Sequence, residues 1–234
     1  MENINKIDVS LTDTIRNSDL QKVTTDLAEL VLDSMLDDGV LKDIPIVGSI
    51  LSLSKTALNI KDALFLKKII HFLSELSEIS IEKRQEMIDF VNKSNKQKIK
   101  VGEKLIFILD KCDDYIEAKY IGQFFCGFLE NKITYEEFLK GARIIQDIYI
   151  GDLEYFLECD NSKIEIVAST EEAPDEDTFP LINSGICGFG YNPVTLEDQW
   201  DYEMHDKYKV NGGEAVIWIT SIGKKLKEIL KVVK

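Results

Sequence analysis

Apolar residues recur at helical spacing through the first two thirds of the chain and lose that spacing afterwards. Leu20, Val23, Leu27, Leu30, Val31 and Met35 fall on one face and predict an amphipathic helix of about five turns. Asp37-Asp38-Gly39 ends it, because glycine accepts the left-handed cap conformation. Pro45 suits the first turn of the next helix, where its missing N–H is not needed. That segment, residues 44–60, is apolar on nearly all sides, with Lys55 its only ionic side chain. Residues 62–76 follow as a second apolar helix with Lys67, Lys68 and His71 on another face.

Further helices are predicted after Ser80, over 101–109 and over 115–129, with a lysine-rich connector at 92–100. Asn131-Lys132 breaks the pattern. Thr134 and Glu137 then form a capping box that opens another helix through Phe138, Ile144, Ile145 and Ile148. The opening residues, MENINKIDVSLTD, read as polar and show no signal peptide.

After Cys159 the pattern changes. Residues 163–168 fit either a short strand or a helix, 171–177 form an acidic loop, and 179–183 a short helix closed by Gly185. Residues 208–210 and 215–219 flank Asn211-Gly212-Gly213, a strong hairpin signal. Thr220 or Ser221 caps a last helix over 222–233. The fold expected is mainly α: a multi-helix bundle over 1–158 and a small α+β, winged-helix-like unit over 159–234.

Hydrophobic content of 44% and charged content of 30% fit a globular protein. Acids outnumber bases 42 to 28, a net charge of −14, which argues against a nucleic-acid partner. The one basic cluster, Lys93, Lys96, Lys98, Lys100 and Lys104, reads as a solvated loop. The Lys-, Ile- and Asn-rich, Pro-poor composition points to an AT-rich bacterial genome. Cys112, Cys126, Cys159 and Cys187 are too widely spaced for a zinc knuckle or disulfide framework, and a reducing cytoplasm is the expected setting.

No catalytic, cofactor or metal signature stands out. Asp110, Asp113, Asp114 and Glu117 share one helical face and could hold a hard cation, though a helix N-terminus made acidic by its dipole accounts for them. Cys187 is a candidate thiol nucleophile, with His205 the nearest base in sequence. Trp200, Tyr202, Tyr208 and Trp218 concentrate aromatic surface in the tail and are read mainly as its core. The candidate partner or membrane contacts are Ile46, Val47, Ile50, Leu51, Lys67, Lys68, Trp200 and Tyr202.

PLINSGICGFG resembles the end of a recognition helix entering a wing, and YKVNGGEAVIWITSIGKKLKEIL resembles a second wing strand with its following helix. Thr220, Gly223, Lys224 and Leu226 occupy the helix-start positions of that pattern. A helical domain with such a tail is similar in outline to bacterial proteins of the abortive-infection alpha type. The acidic tail is electrostatically wrong for DNA, so the resemblance implies a protein-contact or structural module. The expected function is therefore non-enzymatic recognition of a protein partner, or self-association, in phage defence or a stress response. The defence part rests on the resemblance alone. The alternatives are a membrane-acting effector releasing the 44–76 hairpin and an enzyme with a metal or thiol site. A bilayer asks for about 20 apolar residues per helix, and 44–60 is shorter and interrupted by polar groups.

Overall fold

The computed structural model describes residues 2–23, 44–53, 59–93, 99–164, 167–168, 176–198 and 208–233. The chain is mainly helical, with a small β region near the C-terminus followed by a helix. Two compact units are present: Met1–Gln146 with Ile229–Lys234, and Asp147–Glu228. The division thus falls before residue 158, and the last residues belong with the helical unit.

The helical unit opens with α1 (Glu2–Asn17), which the polar reading of the N-terminus misses. Its apolar stripe is narrow, but Leu11 and Ile15 are fully buried, and Thr14 between them donates its hydroxyl to Ser10 O. The Thr14 oxygen also accepts the N–H of Ile46, the first turn of α2 (Pro45–Leu53). Pro45 stands at the first helical position, as expected. The helix predicted over 20–35 starts differently: Leu20–Lys22 is a 3₁₀ turn capped by Asp19, and Val23 is extended. The rest of that prediction lies outside the described residues.

α1 packs against α2, α4 (Ile81–Lys93) and α5 (Val101–Lys111). The other half of this unit is built on α3 (Ile60–Glu75) and α6 (Tyr115–Leu129), its most extensive helix pair. They run in the same direction. Contacts step from Lys68 with Cys112, through His71 with Tyr115 and Phe72 with Phe125, to Glu75 with Cys126. Phe72, Phe124, Phe125, Phe128 and Phe138 are all buried and form the aromatic centre, with rings at centroid distances of 5.0–6.5 Å. Phe138 comes from α7 (Tyr135–Asp147), whose start is the predicted capping box: Glu137 N–H donates to Thr134 Oγ1 at 3.2 Å, and Thr134 N–H to Glu137 Oε2 at 2.8 Å. Asn131 turns the chain ahead of it at φ 63°.

Arg84 is the one buried guanidinium of the described core. It donates to Ile79 O (3.0 Å), Ile15 O (2.5 Å) and Ser18 O (3.0 Å), stapling the end of α1 to the start of α4. A planar fork of donors meets three carbonyls here, geometry that lysine cannot supply.

The second unit contains α8 (Ile150–Glu158), α9 (Asn161–Ile164), β1 (Val167–Ala168), α10 (Phe179–Asn183), β2 (Cys187–Tyr191), β3 (Thr195–Asp198), β4 (Tyr208–Asn211), β5 (Ala215–Ile219) and α11 (Ser221–Ile229). The segment read as strand or helix is both: α9, then β1. The sheet order is β1-β5-β2, antiparallel throughout. Its core holds Leu153, Phe156, Ile164, Leu181, Ile186, Ile217, Ile219 and Leu226. Thr220 closes the unit. Its hydroxyl lies 2.9 Å from both Gly185 O and Ile186 O and accepts the Gly223 N–H at 3.1 Å, the N-cap expected from sequence.

Candidate interaction surface

The hairpin expected around Asn211-Gly212-Gly213 does not form there. β4 pairs with β3 and β5 with β2, so the two glycines join collinear strands. The register runs on across the joint: Tyr191 faces Ala215 and Thr195 faces Asn211, a step from 191 to 195 on one side and from 215 to 211 on the other. Gly212 and Gly213 have φ of 90° and 86°, and hydrogen bonds of Asn192 N–H to Glu214 O and Gly213 N–H to Asn192 O hold the irregular joint closed. Positive φ at two successive positions is what made the glycine pair resemble a hairpin turn. The same freedom serves an irregular joint, with equal numbers of residues on both sides, within one long ribbon.

The outer half of that ribbon, β3–β4, is amphipathic with both faces in solvent. Leu196 stands directly opposite Val210, and Asp198 opposite Tyr208 on the same face. Thr195 with Asn211 and Glu197 with Lys209 make up the reverse face. Leu196 is 66% exposed, Val210 63% and Tyr208 53%, and Val194, two residues before Leu196, is 63% exposed. Among the described residues neither β3 nor β4 has a second neighbouring strand. Trp218 on β5 lies over Gly188 of β2, where a Cβ would come within 2.4 Å of the indole, and remains 45% exposed. Tyr208 and Trp218 are therefore surface groups and not the core residues expected. Trp200, Tyr202 and His205 lie outside the described residues.

The remaining sequence candidates are engaged inside the helical unit. Ile46, Val47 and Ile50 are buried, and Leu51 is half-buried. Lys67 Nζ sits 4.2 Å from the Tyr115 ring centroid, and His71 stacks on the same ring at 4.5 Å. Lys68 Nζ donates to Asp110 O (3.2 Å) and Cys112 O (2.7 Å), capping the carboxyl end of α5. Both lysines therefore have structural work in this arrangement.

The carboxylates of the α5–α6 corner do not converge on a cation. Asp114 caps α6, accepting the N–H groups of Ile116 (2.7 Å) and Glu117 (3.1 Å). Glu117 turns back to accept the Asp113 N–H at 2.9 Å. Its burial raises its pKa, an effect that the accepted N–H opposes. Among the described residues, no group of three or more His, Cys, Asp or Glu is placed to hold a metal ion. Burial pushes the Cys112 and Cys126 thiols up to about 12, which leaves them protonated and unreactive at neutral pH. Cys187 is buried on β2. Lys93 lies 3.8 Å from Asp89, and Lys96 and Lys98 fall outside the described residues. No described helix is long and apolar enough to cross a membrane.

The amphipathic ribbon was only half legible. The alternation in Tyr208–Asn211 marked a strand, but Thr195–Asp198 carries two acids in four residues and gives no strand signal by itself. Comparison with protein families, with curated proteins and with solved structures finds no match to this chain.

Proposed function

We propose that the protein is an interaction module that self-associates through the apolar face of its β3–β4 ribbon. The observation that carries this reading is the Leu196–Val210 pair, directly opposed and about two-thirds exposed on both sides. The outer half of the ribbon, beyond the three-stranded sheet, gains stability when its apolar side chains are covered. Val194, Leu196, Tyr208 and Val210 present roughly 400 Å² of surface, a patch of the size that marks functional contacts on monomers. Two copies meeting face to face bury roughly 1,000 Å² once the rims are included, the lower bound for a specific interface.

A second copy suits this face because the face is self-complementary. Leu196 and Val210 meet their own copies across a two-fold axis, and an isologous contact uses the same patch on both partners. Asp198, opposite Tyr208, is the charged residue of this face and stands at its outer end, two residues beyond Leu196, while Glu197 and Lys209 oppose each other on the reverse face and more distant charges are screened beyond about 8–10 Å. A place in phage defence or a stress response rests on the tail's resemblance alone.

A charge-swap experiment tests the proposal. Leu196→Lys with Val210→Lys, and separately Leu196→Glu with Val210→Glu, give two monomeric proteins that restore the dimer when mixed. If the two variants stay dimeric on their own, the ribbon is not the contact. If mixing restores nothing while wild type dimerises, the face-to-face arrangement is wrong.

A further inference from the structure

A second surface, wholly within the helical unit and independent of the ribbon, has the chemistry of a binding site. Between α5 and α7 lies a groove of about 150 Å³. Its floor is Ile108, Ala142 and the half-buried Leu139. Gln146 spans the two helices there, its Nε2 donating to Ile108 O at 2.8 Å. Phe107 stands at the rim, 44% exposed. Lys104, Lys111 and Arg143 complete the lining. Three of eight described lining residues are cationic and none is acidic, in a chain where acids outnumber bases 42 to 28. Lys104 and Lys111 thus place positive charge at this groove in a chain whose net charge is −14.

The helix geometry explains the clustering. Lys104, Phe107, Ile108 and Lys111 fall at i, i+3, i+4 and i+7 on α5, one continuous face. Arg143 and Gln146 stand one turn apart on α7. A cavity of roughly 150 Å³ takes a benzene-sized body. We propose that this groove binds a small organic anion, a single ring or branched chain bearing one carboxylate. The apolar body would rest on Ile108, Leu139 and Ala142 against Phe107, with the anionic group between Lys104 and Lys111. Both lysines carry flexible stems that let the ammonium swing towards an anion.

Amide NMR titration of the full chain with sodium benzoate tests this, with benzyl alcohol and inorganic phosphate as probes lacking the charge and the ring respectively. Benzoate is expected to shift resonances across residues 104–111 and 139–146, and to bind about tenfold more tightly than either comparison probe. Lys104→Glu with Lys111→Glu is expected to weaken benzoate about tenfold or more while the melting temperature holds. Phe107→Ala, at an exposed position, weakens it as well and serves if the charge reversals disturb the fold. Equal binding of benzoate and benzyl alcohol, unchanged affinity in the lysine variant, or shifts confined to other regions would each overturn the assignment.

Discussion

Leu196 and Val210 face each other across β3 and β4, and solvent reaches about two-thirds of each. Core pairs of this kind, such as Phe189 with Ile217 further down the same ribbon, have at least one member covered: Ile217 is buried. The outer pair has none, which is why the ribbon carries the functional proposal and the aromatic-rich centre of the helical unit does not.

The glycine joint within the ribbon should be intolerant of side chains. Gly212→Val places a β-branched residue at φ 90°, and a Cβ there would come within 2.0 Å of Pro193 O. Loss of roughly 1–3 kcal/mol is expected, together with weakened β3–β4 protection in hydrogen exchange. Unchanged protection of β3 and β4 would mean that the joint does not hold the ribbon.

Arg84 should be the most sensitive polar residue of the helical core. Arg84→Met leaves three carbonyls without their donor fork, and Arg84→Lys restores charge without the geometry. Both should lower unfolding free energy in urea, Arg84→Met by about 3 kcal/mol and Arg84→Lys by about 2 kcal/mol. A midpoint within error of wild type for either would contradict the staple.

The pH dependence of stability should carry a His71 component. Burial, then Lys119 and Lys67, lowers its pKa from 6.5 to about 4, and its two ring nitrogens have no hydrogen-bond partner. The folded state therefore resists the proton that the unfolded chain accepts. The contribution is fully present above pH 6.5 and is lost as pH falls from 6.5 towards 4, by about 2 kcal/mol once solvent screening of the lysines is allowed for. Glu75 and Glu117 act in the opposite sense, because burial raises both, so their protonation relieves the fold in acid. Chemical denaturation of wild type and His71→Phe across this range isolates the histidine: the difference between the two curves should be constant above pH 6.5 and should change in favour of the variant as pH falls towards 4. Curves that stay parallel from pH 6.5 down to 4 would show that His71 has no such effect.

Much of the helical unit was readable because its helices announce their ends. Thr134 and Glu137 fixed one start, Asn131 one stop, and Pro45 another start, each a local chemical signal that tertiary contacts did not override. α1 escaped because Leu11 and Ile15 are flanked by Thr12, Asp13 and Thr14, and the burial of Thr14 depends on the distant Ile46 N–H. In the tail, the same glycines fit a turn or an irregular joint within a ribbon, and only the pairing of β3 decides which. Lys67 and Lys68 looked like surface charges because their partners, the Tyr115 ring and the α5 carbonyls, lie more than forty residues away in sequence.

Sedimentation equilibrium of the wild-type chain over a wide concentration range, beside Leu196→Lys with Val210→Lys, tests self-association most directly. Self-association through the ribbon gives a wild-type mass approaching twice 26.7 kDa as concentration rises, and a variant that stays at 26.7 kDa throughout. A wild-type chain that remains at 26.7 kDa at every concentration would contradict it.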